Sequence, residues 1–523
     1  MTDRKKNCVQ KCTDGTLKLA KSHQKSEIWQ NITFILPKVI KKYRFGRVKE
    51  VLMGKSIIGR SSEIRLLNEY INSDRSEFIA IYGRRRVGKT FLVKSLLQKD
   101  FTFYMTGLAN SDLKNQLRNF ADAFSQYFPK ASAPKIKSWF EAFTLLRDNL
   151  KKIKGKKIVF IDELPWFDTV RADFVSALEH FWNSWAADQK DLKLIVCGSA
   201  TSWMMNKLIN NHGGLHNRVT HQIRLSPFTL KECEEFFKSR NFSMARTEIA
   251  LCYMIFGGIP FYLTLLRNDE SLAQNVDRLF FSEEGELRNE FKNLYKALFK
   301  QSDKYIEIVR VLAKKAKGFT RNELLNELSK ESSGGISNAI ADLESCGFIR
   351  RYTAFGKKSK DELIQLIDFY TLFYFNFVAE RKKDSRTFWR LIQGKPAYAT
   401  WCGYAFEMLC LQHIQQILNA LGISGIESNP CSWSGKDEDG GIQLDLLIDR
   451  IDNVINVCEM KFSELPFELN KAYYEKSLAR VSRFRSITKT RKSTMLTFVS
   501  AAGLKDNSYA RQIPKVLTLD NLF

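Results

Sequence analysis

The sequence predicts an α/β protein: a parallel sheet with helices on both faces, then a helical segment, a helix–hairpin unit and a smaller C-terminal α/β domain. Three observations predict it. From Ile57 onward, short apolar runs alternate with helical periods, as a sheet covered on both faces requires. A glycine-rich stretch from Gly83 to Thr90 sits where one such run passes into a helix. Past residue 440 a second strand–strand–helix–strand series begins, and 523 residues exceed what one hydrophobic core usually serves.

Taken in order, residues 1–52 carry thirteen Lys/Arg against four Asp/Glu with little periodicity, and are expected to be a basic extension, poorly ordered or lying upstream of the true start. Residues 53–230 form the sheet-bearing core, with a helix at 63–71, strands at 78–82, 158–161 and 193–197, and helices from Gly88 to about residue 98 and at 171–187. Residues 231–302 are almost wholly helical, broken at Gly257-Gly258-Ile259-Pro260.

Residues 303–384 read as a winged helix. Tyr305, Ile308, Val309 and Leu312 make one helical stripe, and Thr320 with Glu323 makes a capping box for a second helix. Ile336, Ile340 and Leu343 share one side of a third, which Gly347 ends. A hairpin over 348–355 and 362–368 follows. The third helix presents Ser337, Asn338, Asp342 and Glu344, a poor match to DNA, while Arg350, Arg351, Lys357, Lys358 and Lys360 put basic charge on the wing. Residues 385–523 open with a helix near 398–421, then strands at 442–449 and 454–461, a helix near 469–484 and a strand at 494–500.

Gly83-Arg84-Arg85-Arg86-Val87-Gly88-Lys89-Thr90 matches GxxxxGK[ST], between an apolar strand and a helix. Glycines let backbone N–H groups close around phosphate oxygens, and the helix N-terminus adds positive potential. Lys89 then reaches the β/γ-phosphates and Thr90 offers its hydroxyl to Mg²⁺. Ile158-Val159-Phe160-Ile161-Asp162-Glu163 supplies the companion motif: Asp162 at a strand end holds the Mg²⁺ shell, and Glu163 orients or deprotonates the attacking water. ATP and Mg²⁺ are the expected cofactors. Ser199, after the strand at 194–197, has two readings, a γ-phosphate sensor and a helix N-cap. Arg218 is the candidate arginine finger; if it acts in trans, turnover needs a homo-oligomer. Arg84, Arg85 and Arg86 are expected to face outward or to meet other domains.

At these residues the chain resembles a known group. IIGRSSEIRLLNEYI…EFIAIYGRRRVGKTFLV, VFIDELPW, CGSATSWM and RLSPFTLKE are similar to the archaeal/bacterial ATPase family of the STAND branch of AAA+-like P-loop proteins. GYAFEMLCLQHI, QLDLLIDR and INVCEMKFS resemble the domain of unknown function usually fused to these ATPases. The resemblance spans about residues 57–523. It implies a nucleotide-dependent switch, and it implies that Gly257-Gly258-Ile259-Pro260 is the GxP motif that places residues 231–302 as a helical lid over the nucleotide, with Pro260 against adenine or ribose.

In the C-terminal domain Asp445, Glu459 and Lys461 lie on neighbouring strands, each alternating with apolar residues. Two carboxylates so placed can hold a divalent cation, Lys461 steadies nucleophile or developing charge, and Glu407 on the preceding helix completes the shell. This D…ExK order resembles the PD-(D/E)xK superfamily and implies a restriction-endonuclease-like fold and nuclease chemistry. A polar strand face laced with salt bridges would look similar. Lys476, Arg480 and Arg483 lie along one face of the following helix, as a ridge tracking phosphates would.

Lys+Arg number 82 against 57 Asp+Glu, a formal charge of +25 that favours a polyanionic partner. DNA is the expected one, although a lysine-rich solvated surface gives the same balance. Ten cysteines are scattered without a CxxC pair, which fits a reducing compartment and neither disulfides nor zinc; Cys197 and Cys458 sit in apolar runs. His212, His216 and His221 lack a joining Cys or carboxylate. No apolar run reaches the ~18 residues of a membrane helix, and residues 366–378 read as a buried aromatic helix. No membrane partner is expected, and the polar, basic N-terminus makes the cytoplasm the expected location. The rival to a nuclease-coupled switch is an ATP-dependent regulatory or scaffold protein whose C-terminal domain binds a partner without catalysis.

Overall fold

The computed structural model describes residues 57–131, 135–210, 217–328, 333–358, 361–381 and 387–523. The expectations for residues 1–52, His212, His216 and Lys360 lie outside them. Residues Ile58–Phe523 form one compact unit.

Its first layer is a five-stranded parallel sheet: β1 (Glu77–Tyr82), β2 (Phe101–Thr106), β3 (Lys157–Asp162), β4 (Leu192–Gly198) and β5 (His221–Arg224), in the order β2-β3-β4-β1-β5. β3 and β4 are buried along their whole length, which explains their near-continuous apolar runs. A helix, Lys89–Leu97, returns from β1, and Phe103, Phe120, Trp139, Phe167 and Phe174 pack an aromatic core beside the sheet. The helix expected over 171–187 is shorter, Phe174–Ser184, because Asp173 before it is left-handed (φ 52°). β2 and β5 were not among the expected strands. They are the two edges of the sheet.

Helices Leu230–Ser239, Arg246–Phe256, Pro260–Thr264, Leu272–Val276 and Glu290–Leu298 follow. Gly257 and Gly258 end the second of these with left-handed φ. A Cβ on Gly258 would stand 2.4 Å from the Phe228 carbonyl, so only glycine fits that break.

The next segment has helices Ser302–Ala313, Arg321–Leu328 and Ser333–Ser345 beside an antiparallel sheet of β6 (Phe319–Thr320), β7 (Ile349–Tyr352) and β8 (Leu363–Leu366), ordered β6-β8-β7. The expected cap forms: Glu323 N–H donates to Thr320 Oγ1 (3.3 Å) and Thr320 N–H to the Glu323 carboxylate (2.8 Å). Asp368 then caps a buried aromatic helix, Phe369–Phe373, by accepting from Thr371 N–H at 3.0 Å.

The C-terminal part carries helices Pro396–Gln412 and Ile414–Ala420 and a second sheet of β9 (Ser428–Asp437), β10 (Gly440–Arg450), β11 (Val454–Lys461), β12 (Ser493–Ser500) and β13 (Lys515–Leu517), ordered β13-β12-β11-β10-β9. β9–β10–β11 are antiparallel, whereas β12 and β13 run parallel to β11. Helix Lys471–Thr488 makes the crossover from β11 to β12. Register between β9 and β10 shifts between Leu444 and Leu447, an irregularity that spans Asp445 and Leu446. Among the described residues no helix is long and apolar enough to cross a membrane.

Candidate functional site

The turn after β1 is built by its glycines. Gly83 has φ 142°, and a Cβ there would lie 2.2 Å from the Leu225 carbonyl oxygen. Gly88 (φ 94°) opens the Lys89–Leu97 helix, so the loop meets a helix N-terminus as expected. Lys89 folds back over the loop and donates to the Gly83 and Arg84 carbonyls at 2.8 and 3.0 Å. Two strands away, Asp162 ends β3 and accepts from Thr90 Oγ1 at 2.9 Å. The expected loop and acid therefore meet. A hydroxyl and a carboxylate side by side, with an ammonium nearby, are the oxygen donors and countercharge that Mg²⁺ and a phosphate chain require.

Asp162 is 3 % exposed, and burial pushes its carboxyl above the usual range. The Cys197 thiol, Thr90 and the Glu163 N–H donate to it and oppose that shift. Burial also pushes the Lys89 ammonium below its ordinary value. Cys197 was expected only as a buried hydrophobe; its thiol donates to the acid.

Glu163 adopts a left-handed backbone (φ 50°). Its carboxylate accepts from Ser199 Oγ at 2.8 Å and from Ser199 N–H at 3.2 Å. Of the two readings of Ser199, the helix cap falls: Ala200 precedes the short helix Thr201–Trp203, and the Ser199 hydroxyl is turned to Glu163.

The loop arginines reach other elements. Arg84 pairs with Asp368, its Nη2 3.0 Å from Oδ2, with both side chains buried, and lies over the Phe348 ring. Arg86 pairs with Glu290, Nη2 to Oε2 2.7 Å, and stacks on Phe261 at 3.9 Å. Of the two open readings, contact with other segments holds for both. Arg85 is half-buried between them, and Val87 is buried. Pro260 is the first residue of Pro260–Thr264, and the next N–H, of Phe261, donates to the Arg86 carbonyl (3.4 Å). That seats the Gly-Gly-Ile-Pro break on the phosphate loop. Arg60 escaped the sequence reading: it is 5 % exposed and donates to the Ser226 carbonyl at 2.6 Å and the Val87 carbonyl at 3.3 Å, bracing the loop from behind. Its signal was an arginine beside Gly59, at a helix start with no side-chain cap.

Arg218 is exposed and lies just before β5. β5 runs parallel to β1 with His221 opposite Ile79, so Arg218 stands where the strands begin and the phosphate loop where they end. It therefore lies at the opposite end of the sheet from its own phosphate loop.

In the C-terminal sheet Leu446 faces Cys458, so Asp445 and Glu459 are the next residues on the two strands. Glu407, on helix Pro396–Gln412, lines a cavity of about 250 Å³ with Asp445, and burial beside Asp445 pushes its carboxyl up to about 7. Glu459 turns elsewhere: it accepts from Lys461 (3.0 Å), Arg480 (3.1 Å) and the Tyr473 hydroxyl. Burial works against its ionisation, yet these partners hold it below the usual range. Among the described residues no three His, Cys, Asp or Glu form a group ready for a metal ion. The structure thus brings Glu407 to Asp445 and Lys461 to Glu459, without a single three-carboxylate ligand set. Lys317 pairs with Asp445. Of the expected basic ridge, Arg480 pairs with Glu459 and Arg483 with Asp437. On the wing, Arg351 pairs with Glu344 at 2.6 Å.

Residues 58–266 match a family described as an ATPase domain predominantly from Archaea. An uncharacterized protein of Methanocaldococcus jannaschii is 26% identical over 366 residues, covering 69% of this chain and 77% of that protein. An uncharacterized ATP-binding protein of the same organism is 42% identical over 41 residues, 8% of this chain and 70% of its own length. Among solved structures, a Walker-type ATPase of Pyrococcus abyssi aligns with a TM-score of 0.44 at 18% identity, covering 61% of this chain and 96% of that one. The family match contains Lys89, Thr90, Asp162 and Glu163 and stops before Glu407 and Asp445. On that match and the geometry of the loop, residues 58–266 carry a P-loop ATPase domain.

Proposed function

We propose that the chain is a STAND-type switch that binds and hydrolyses ATP with Mg²⁺ and couples its nucleotide state to a nuclease-like, DNA-interacting C-terminal domain, in defence or mobile-element biology. The observation that carries the ATPase half is Thr90 Oγ1 lying 2.9 Å from Asp162 beside the loop-bound Lys89. In this reading the N–H groups of the loop and Lys89 bind the phosphates, while Thr90 and Asp162 hold the metal shell. Mg²⁺, when bound, neutralises charge on the phosphates. Glu163 takes the proton of the attacking water once it leaves Ser199, because a carboxylate saturated by two donors is a weak base.

The C-terminal half of the proposal is supported by Glu407 and Asp445 around one cavity, by Glu459 and Lys461 on the adjoining strand, and by the +25 charge. Residues 303–384 act in it as a winged helix, offering Lys357 and Lys358 to phosphate. ATP hydrolysis measured with and without DNA at two salt concentrations tests engine and partner together: DNA should stimulate turnover, and more so at low salt. Cleavage in Mn²⁺ should vanish in Glu459→Ala; cleavage that survives this change dismisses the nuclease assignment. A second reading is favoured by one observation, the saturation of Glu459 by Lys461, Arg480 and Tyr473. In it the C-terminal domain binds a partner without chemistry, and calorimetry would detect no metal binding that depends on Asp445.

A further inference from the structure

The Asp445 carboxylate already holds a cation, and the cation comes from another part of the chain. Lys317 sits in the turn between helix Ser302–Ala313 and β6, 128 residues away in sequence. Its ammonium pairs with Asp445, its charge also acts on Glu407, and all three line the same cavity of about 250 Å³. The other cations nearby are engaged elsewhere. Arg350 donates to Gln365 at 2.7 Å and lies over the Tyr352 ring, while Lys461 pairs with Glu459. Lys317 is therefore the cation of the Asp445 oxygens.

The backbone beneath Lys317 is pinned. Tyr352 Oη donates to the Lys317 carbonyl at 2.9 Å and Gln365 Nε2 to the Ala316 carbonyl at 2.7 Å. Gly318 is left-handed (φ 84°), and a Cβ there would stand 2.2 Å from the Ile364 carbonyl oxygen. The turn is thus clamped to β7 and β8 and moves only with the helix–hairpin segment. The end of β8 leads directly into Asp368, the buried partner of Arg84 in the phosphate loop.

We propose that Lys317 is a built-in cation standing in the divalent-metal position of the C-terminal carboxylate site, and that it keeps metal out until the helix–hairpin segment withdraws. The proposal rests on the nuclease-like reading of Asp445 and Glu407. An ammonium and a divalent ion compete for the same lone pairs, and both together would set like charges against each other at short range. The pinned turn makes withdrawal a movement of the whole segment.

Titration calorimetry with Mn²⁺ on the nucleotide-free full chain tests this, comparing wild type, Lys317→Met, Lys317→Gln and Lys317→Met/Asp445→Asn, each checked for folding by circular dichroism. Both single variants should bind Mn²⁺ at least about tenfold more tightly than wild type, a change of ~1.4 kcal/mol, and the double variant should lose the gain. If Lys317→Met is poorly folded, Lys317→Gln, which keeps length and polarity, carries the comparison. Equal Asp445-dependent affinity in wild type and single variants overturns the block and leaves the metal site standing. Absence of Asp445-dependent binding in every variant overturns both.

Discussion

Asp162 places its carboxyl where almost no water reaches it. Burial pushes its carboxyl up, and three donors, Cys197, Thr90 and the Glu163 N–H, act the other way. Hydrogen bonds to the charged form are what hold a buried carboxylate available for a metal. Glu163 is in a different condition: its oxygens are bound by Ser199, and under the proposed function it is the base that takes the proton of the attacking water. Glu163→Gln keeps the shape and an acceptor oxygen for one of the two Ser199 donors but removes the base. Its kcat for ATP hydrolysis should fall by roughly 10²–10⁴-fold, with nucleotide affinity nearly unchanged; steady-state turnover beside equilibrium binding reads both. A turnover loss accompanied by equal loss of affinity would assign Glu163 to binding. The loop and its acid were legible in the sequence, because GxxxxGK[ST] between strand and helix has one mechanical meaning. The Cys197 thiol and the Ser199 clasp were not, since a buried thiol and a serine after a strand have several uses.

At the scale of elements, pairs distant in the chain join the loop to its surroundings. Arg84 and Asp368 lie 284 residues apart and are both buried. Removing one member leaves an uncompensated buried charge, so Asp368→Ala should cost ~3–5 kcal/mol. Urea denaturation of Asp368→Ala, Arg84→Ala and the double variant should show the two losses falling well short of additive. His413 forms another link. It is 2 % exposed, accepts from Leu230 N–H at 3.2 Å, and burial pushes its pKa from 6.5 down to about 4. The folded ring is neutral while the unfolded ring takes a proton below pH 6.5. Its stabilisation is therefore intact above that pH and shrinks as pH falls toward 4, by about 3 kcal/mol in all. Stability measured from pH 7 to 4 should fall more steeply in wild type than in His413→Gln by that amount; parallel curves would mean that the ring is charged in the fold. Three of the strands that escaped the sequence reading share a cause; β2, whose Phe101, Phe103 and Met105 alternate at period two, is not one of them. β9 contains Pro430 and mostly polar residues, β13 and β5 are three and four residues long, and all are edges, where apolar periodicity fades. The central strands, buried on both sides, were plain.

Across the whole molecule the described residues from Ile58 onward pack as one compact unit, although the sequence divides naturally at 230, 302 and 384. What crosses them is a set of contacts with no periodicity to betray it: Arg84–Asp368, Arg86–Glu290, Leu230–His413 and Lys317–Asp445. Two of these begin at the phosphate loop, a third at the helix Leu230–Ser239, and the fourth ends at the Asp445 carboxylate. Everything depends on the loop taking a triphosphate. Thermal unfolding in Mg²⁺ with rising ATP measures that directly for wild type and Lys89→Ala. At ATP a hundredfold above Kd the wild-type protein should gain ~2.7 kcal/mol of stability and a clear rise in Tm, while Lys89→Ala, folded but missing its phosphate cation, should gain little. A wild-type Tm indifferent to ATP, or an equal rise in Lys89→Ala, would contradict the account.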